Sequence, residues 1–452
     1  MVFLGMTLLF AGCTQLKLAE SPLTAPPTRF DSTPPPVPEI TKSLASLFQD
    51  KTLTRYLARA QSHNPNLQIA AANLREAGFN TRISKAALLP NISANSNGSR
   101  SQANSAGQGF NAGTFDATRL SASLDVNWEV DIWGRVRADI IASQRDQLAL
   151  AADYKTAQQS IVAQTTQAYF QLIAATQRLE LATRRVESFT LTANTLQRRF
   201  DIGTESLQNL SLAKTDVSNA KATLADTTNL RDQASRLLAS LIGAYPDRSR
   251  QAYTWPTLKR RVATGIPSSL LRRRPDLDAA YQRIRAADAR ITIAQANLLP
   301  TFALTGSYGR QSDKLRDLLS SDFTVWSIAG NFVAPLFNSG ALRAEINAAN
   351  ERAKSAVANY YATTLTALRE VEDALGSESF LAQREEATAN ALSSAQLAQT
   401  RAKRTFESGT ADIITLLEAQ RRAYDTEEAL INIRELRYQN RVTLALALGK
   451  AY

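Results

Sequence analysis

Residues 65–90, PNLQIAAANLREAGFNTRISKAALLP, align without a gap on residues 275–300, PDLDAAYQRIRAADARITIAQANLLP, and ten of the twenty-six positions are identical. The offset is 210, and shared pairs include Ala70/Ala280, Arg75/Arg285, Ala77/Ala287, Ile83/Ile293 and Ala86/Ala296. Farther along, Phe200-Asp201-Ile202-Gly203-Thr204 matches Phe406-Glu407-Ser408-Gly409-Thr410 at an offset of 206, as Gly243 matches Gly449. Self-similarity at a fixed distance marks a tandem duplication. The four-residue change falls where the Ser/Asn/Gly-rich stretch after Pro90 lies, so the first copy carries the longer loop.

Both copies run in the same order. A helix rich in Ala, Arg and Leu begins at a proline, Pro65 or Pro275, which suits a first helical turn, and ends at a Leu-Leu-Pro that expels the chain from helical geometry. The period then changes from 3.6 to 2. Phe302, Leu304, Gly306 and Tyr308 alternate with Ala303, Thr305 and Ser307, and Trp326, Ile328, Gly330 and Phe332 alternate with Ser327, Ala329 and Asn331. In the first copy Ile92 and Ala94, then Ala122, Leu124, Val126, Trp128 and Val130, alternate with polar neighbours. These spacings predict two strand pairs, about 90–102 with 118–131 and 300–311 with 324–336, each with an apolar and a polar face.

A very long helix follows each pair. From about Val136 to Phe200 and from about Leu342 to Phe406 the only Pro or Gly is Gly376. Leu342, Ile346, Ala349, Ala353, Val357, Tyr361, Leu365, Leu368, Val371 and Leu375 recur at about 3.67 residues per step, nearer a straight helix than a heptad coil. Such a helix is about 95 Å long. Gly203 and Gly409 stand where a C-terminal glycine cap belongs, and Thr204 and Thr410 are expected N-caps of helices returning to about Ile242 and Leu448.

Composition removes several functions. The chain has 452 residues, one Cys and one His, with 52 basic against 41 acidic residues, a net charge of +11. Cys13 and His63 cannot supply a disulfide framework, a thiolate cage or paired imidazole ligands. No GxxxxGK[ST] loop is present. Neither copy shows a nucleophile with a base, so the chain reads as no enzyme. The clusters Lys259-Arg260-Arg261 and Arg272-Arg273-Arg274 lack aromatic platforms and read as a solvated basic collar, with no nucleic-acid partner. Gly107-Gln108-Gly109 lacks the flanking strand and helix of a dinucleotide loop. Trp128, Trp133 and Trp326, near strand ends, suit an aromatic girdle or buried packing.

Residues 2–12 are mostly apolar and stop at Cys13, after which the chain becomes Pro-rich. Leu9-Phe10-Ala11-Gly12-Cys13 resembles a bacterial lipobox. Residues 1–12 are therefore expected to be a lipoprotein signal peptide and 13–44 a lipidated tether, the alternative being an ordinary buried thiol at Cys13. A palmitate-type covalent lipid on Cys13 is the only prosthetic group expected, with no metal and no other cofactor.

Outside the first dozen residues no apolar run approaches the roughly 20 needed for a membrane-spanning helix. Four strands cannot close a barrel, and open sheet edges are not tolerated in lipid. If the strands span a membrane, the chain must oligomerise; three copies give twelve strands around a polar interior.

The chain resembles the outer membrane factors of Gram-negative bacteria, the OprM/NodT-type lipoprotein branch related to TolC. The resemblance is carried by Pro267-Ser268-Ser269-Leu270-Leu271-Arg272-Arg273-Arg274-Pro275-Asp276-Leu277, Leu304-Thr305-Gly306-Ser307-Tyr308-Gly309, Val333-Ala334-Pro335-Leu336-Phe337, Glu370-Val371-Glu372-Asp373-Ala374-Leu375 and Leu416-Leu417-Glu418-Ala419-Gln420-Arg421. It implies an α+β membrane protein. As a homotrimer it would form a 12-stranded β-barrel in the outer membrane, a long periplasmic α-helical barrel and a mixed equatorial region. The outer-membrane-efflux repeats would be 45–243 and 274–449, joined by an equatorial linker at 244–273. The partners implied are a periplasmic adaptor protein, an inner-membrane transporter and outer-membrane lipid. A periplasmic gate of helical hairpins carrying acidic residues makes Asp412 and Glu418 the gate candidates; helix capping and a solvated surface are their plainer readings. The function implied is export of small molecules such as drugs or toxic compounds, with type I protein secretion or a non-transporting envelope scaffold as alternatives.

Overall fold

The protein is described here by a computed structural model covering Asp31 and residues 44–104, 114–252, 254–258 and 273–449. Cys13, the Pro-rich tether, Gly107-Gln108-Gly109, Lys259-Arg260-Arg261 and Arg272 lie outside these residues. Two short helices, α1 (Leu44–Phe48) and α2 (Lys51–His63), precede two copies of one unit. The first comprises α3 (Pro65–Ala86), β1 (Asn91–Asn104), β2 (Thr114–Glu129), α4 (Arg135–Asp201) and α5 (Leu207–Leu241). The second comprises α6 (Pro275–Ala296), β3 (Thr301–Ser312), β4 (Thr324–Val333), α7 (Ala341–Glu407) and α8 (Ile413–Ala447). Matching helices are equal in length: 22 residues in α3 and α6, 67 in α4 and α7, 35 in α5 and α8. At 1.5 Å per residue α4 and α7 are each about 100 Å long.

The two hairpins do not remain separate pairs. All four strands form one antiparallel sheet in the order β1-β2-β3-β4, because β2 pairs with β3 from Leu120↔Ser312 to Glu129↔Ala303. Register then carries the period-2 pattern across the sheet. Ile92 lies opposite Val126, which lies opposite Gly306, which lies opposite Ile328; one residue along, Ser93, Asp125, Ser307 and Ser327 form the next row. Alternate rows point to opposite faces, so one face is mainly apolar and the other mainly Ser, Asn, Thr and Asp. A slip of one residue at any pairing would mix them.

The main core lies halfway down the long helices. Phe48 of α1 meets Phe170 of α4 edge-on at 4.7 Å, Phe170 packs on Tyr438 of α8 at 4.9 Å, and Trp255 lies 4.6 Å from Tyr438. Asp50 caps α2 through the amides of Thr52 and Leu53 and accepts the Tyr169 hydroxyl at 2.8 Å. Burial, with that hydrogen bond to Asp50, raises the Tyr169 phenol well above its ordinary value. The aromatic knot thereby fastens α1 and α2 to both repeats.

Each repeat closes on itself by the same joint. Gly243, in the left-handed region at φ 66°, sits so close to the backbone of His63 that an added Cβ would lie 2.3 Å from the His63 carbonyl oxygen. Its counterpart Gly449, at φ 67°, sits against the backbone of Arg273. Beside them, Asn64 Nδ2 donates to the Leu241 carbonyl at 2.8 Å, and Arg274 Nη1 donates to the equivalent carbonyl of Ala447 at 3.2 Å. His63 is the last residue of α2.

Three expectations change. Thr204 and Thr410 do not cap the returning helices; their hydroxyls donate backward to Arg199 and Thr405 carbonyls, completing the C-terminal caps of α4 and α7. The left-handed glycines Gly203 and Gly409 close Schellman turns, and extended backbone follows before the next helix, so the N-caps are Ser206 and Asp412. Arg274 is not part of a solvated collar: it is ion-paired at 2.7 Å with both Asp276 and Glu370, its side chain only 11% exposed. Trp128 and Trp133 donate to the carbonyls of Leu88 and Pro300, pinning strand ends to helix ends, whereas Trp326 stands exposed on the apolar face.

Candidate functional site

Charged side chains with defined partners gather at two places, the polar face of the sheet and the far ends of the long hairpins. On the polar face Asp125 is surrounded by Asn95 and Ser123, both donating to its Oδ2. Below it, Glu129 is held by Arg135 through two bonds of 2.9 and 2.7 Å. Asp131 caps α4 by accepting the amides of Val136 and Arg137 at 3.0 Å. These contacts tie β2 to α4, so strand and helix continue without a flexible joint.

At the far end the turns Gly203-Thr204 and Gly409-Thr410 form the two tips. Ala193 and Leu196 of α4, Leu210 and Ala213 of α5, Ala402 and Phe406 of α7, and Ile413, Leu416 and Leu417 of α8 make one apolar cluster. The Arg199 guanidinium stacks on the Phe406 ring at 4.4 Å. Arg421 on α8 grips Asp216 on α5 through three bonds of 2.9 to 3.2 Å. The two hairpin tips are therefore packed and ionically tied to each other.

Asp412 accepts the Thr415 amide at 2.8 Å as the N-cap of α8. Hydrogen bonds from the Thr415 side chain and backbone hold its carboxyl below the ordinary value. Glu418, one and a half turns on, is paired with Arg422 at 2.8 Å and reaches Arg421 at 3.9 Å. Both acids sit at the second tip within the same short stretch. Asp216 is not legible in the sequence, because its partner Arg421 lies 205 residues away and nothing nearby marks the pair.

Among the described residues no cluster of three or more His, Cys, Asp or Glu could hold a metal ion, and no helix is long and apolar enough to cross a membrane. The outer membrane efflux protein family matches residues 56–244 and 266–450, the two repeats in turn. The chain belongs to that family. Outer membrane protein OprJ of Pseudomonas aeruginosa is 30% identical over 414 residues, covering 89% of this chain and 85% of OprJ. The probable outer membrane lipoprotein SilC of Salmonella typhimurium is 24% identical, covering 89% and 87%. Among solved structures, the open state of the Neisseria gonorrhoeae MtrE outer membrane channel has a TM-score of 0.84 at 26% identity, over 97% of this chain and 98% of that one. As an outer membrane efflux protein, this chain is the outer-membrane channel of a tripartite export system.

Proposed function

We propose that three copies of this chain form the conduit, with twelve strands closed into a barrel and the helices continuing it into the periplasm. The observation that carries this reading is the sheet: a four-row register with one exposed apolar face, one polar face, and edges on β1 and β4 that have no strand partner among the described residues. Such edges are tolerated in lipid only when another strand closes them. The helices ask for the same neighbour. Phe79 on α3 is 58% exposed, while Ala289 at the equivalent place on α6 is 7% exposed, because α6 lies between the two long helices α4 and α7, whereas the long helix beside α3 is α4. A second copy would give α3 the partner that α6 already has.

The hairpin tips serve as the periplasmic gate, with Asp412 and Glu418 as its acidic residues and the Arg421–Asp216 pair as the tie that keeps it shut. A threefold ring of carboxylates favours cations and raises local negative potential. Opening must break the tie, and the chain carries no motif to supply that energy, so a periplasmic adaptor and an inner-membrane transporter do so. Ile202, Leu207 and Ile414 expose apolar side chains at the tips where an adaptor would dock. The cargo is small molecules such as drugs or toxic compounds. The chain is anchored through a lipid on Cys13, the first residue after a signal peptide at 1–12, with 13–44 as tether; the SilC name, that of a lipoprotein, supports this.

Conductance of the detergent-extracted protein in planar bilayers tests the reading. Small steps from wild type that enlarge in Asp412→Ala or Arg421→Ala support duct and gate together. Silence from intact trimers of all three proteins would leave only a scaffold.

A further inference from the structure

The loop joining β3 and β4 carries a feature that a conduit wall does not need. It contains two short 3-10 turns, η1 (Leu315–Leu319) and η2 (Ser321–Phe323). Leu315 is 72% and Leu319 84% exposed, on a loop otherwise rich in charge. The loop is nevertheless held in place: Arg310 Nη1 donates to the Leu318 carbonyl at 3.1 Å, and Ser312 Oγ donates to Asp317 at 3.1 Å.

Register shows which side of the sheet it occupies. Arg310 pairs with Ala122 and Ser312 with Leu120, so both belong to the rows of the apolar face, as do Tyr308 and Trp326 one row below. Ser312 is buried although it ends a strand, because η1 folds back over it. The β3–β4 ladder has ten pairs, from Thr301↔Val333 to Arg310↔Thr324. Tilted as barrel strands are, that is about 24 Å tall, the height of the apolar band of an outer-membrane barrel. The turn η1 therefore sits at the upper rim of the apolar band, on its outer side.

Its charges suit that level. Among the described residues Arg310 and Lys314 have no carboxylate at ion-pair distance, and Arg316 extends into solvent with only Asp317 3.3 Å away. Of the acids on this loop, Asp317 is half-buried and, with Asp313, accepts from Ser312, while Asp322 lies exposed on η2. A segment with exposed Leu side chains flanked by Lys and Arg is what an interface of acyl chains beneath anionic headgroups accommodates.

We propose that η1 is a lipid-binding rim, inserting Leu315 and Leu319 into the outer leaflet and placing Lys314, Arg316 and Arg310 against the phosphates of a phosphorylated outer-leaflet lipid. The assignment rests on the barrel reading above. It extends the apolar sheet face by one ring and fixes the height of the barrel in the membrane.

The test uses the full trimer in vesicles, with an environment-sensitive fluorophore on Leu319→Cys and, separately, on Ile328→Cys at mid-band; wild type labelled in parallel corrects for Cys13. Quenching of the 319 label by lipid brominated near the headgroup end of its chains, with little quenching by aqueous iodide, is expected. Iodide quenching at 319 with bromolipid quenching at 328 overturns the rim and leaves the barrel standing. Iodide quenching at both positions overturns the barrel orientation and the rim with it. For the headgroup, the lipid retained per trimer is counted after mixing with a bis-phosphorylated glycolipid or with phosphatidylcholine. A severalfold loss of glycolipid alone in Lys314→Gln/Arg316→Gln is expected, and unchanged retention overturns the phosphate assignment.

Discussion

Arg421 and Asp216 are joined side-on, Nε lying 3.1 and 3.2 Å from the two carboxylate oxygens and Nη2 2.9 Å from Oδ2. Asp216 is nearly buried and Arg421 partly exposed, so the pair is shielded from full solvent screening on one side only. A bidentate charged contact of this kind contributes about 1–3 kcal/mol, and it joins the returning helices of the two repeats near their tips. Asp216→Ala and Arg421→Ala are each expected to raise single-channel conductance while the trimer stays intact on size-exclusion chromatography. The double variant should resemble either single one, because both remove the same bond. Additive effects would show that the residues act separately.

The N-cap at Asp412 sets a pH dependence. Its carboxyl is held below the ordinary value by Thr415, so the folded form is the one that favours ionisation. Its contribution to the start of α8 is therefore complete above the unfolded value of about 3.9 and is lost as pH falls through the lower folded value. Amide exchange at Thr415 and Leu416 should be slow at neutral pH and quicken only in that acid range. Asp412→Asn keeps a capping acceptor and removes the acid response, whereas Asp412→Ala frays the first turn at every pH. Slow exchange in Asp412→Ala would show that the cap does not hold α8.

The repeat joint predicts an asymmetry between its copies. Asn64 and Arg274 reach equivalent carbonyls, but Arg274 also satisfies Asp276 and Glu370. Removing Arg274 strands two carboxylates, which costs about 3–5 kcal/mol for a buried pair and less here because Glu370 is partly exposed. Asn64→Ala loses the N-cap of α3, where its Oδ1 accepts the Asn66 amide at 2.9 Å, and the bond to Leu241, about 1–2 kcal/mol. Thermal unfolding should therefore begin earlier in Arg274→Ala than in Asn64→Ala. The reverse order would mean the ion pairs add nothing.

Neighbouring residues on β4 separate the two faces of the sheet. Ile328 belongs to the apolar rows and Ser327 to the polar ones. Ile328→Lys places a charge toward lipid, at a cost of about 2–4 kcal/mol near the bilayer midplane, and should reduce assembled trimer in the membrane fraction. Ser327→Lys should assemble normally and alter ion selectivity. Equal assembly of both variants would contradict the assignment of faces.

The parts legible in sequence share a cause. Period, proline and glycine act within a few residues, so the helix starts at Pro65 and Pro275, the tip glycines and the alternating strands could be read directly. The roles of Thr204 and Thr410 are not legible, because a threonine after a left-handed glycine can bond backward or forward, and the Schellman geometry decides for the preceding helix. Asp412 is legible at the tip, whereas Asp216, in mid-helix among many similar acids, has nothing local to mark it.

What the sequence by itself determined is the inventory: a duplicated unit, two amphipathic strand pairs, two very long helices and their turning points, all encoded by short-range stereochemistry and by identity between the halves. Only the tertiary structure decided that β2 pairs with β3 to make a single sheet with one mainly apolar and one mainly polar face, that Arg274 pairs with Glu370, and that Arg421 finds Asp216. Each of these depends on contacts between residues more than ninety positions apart, where chain connectivity places no constraint and packing selects the partner.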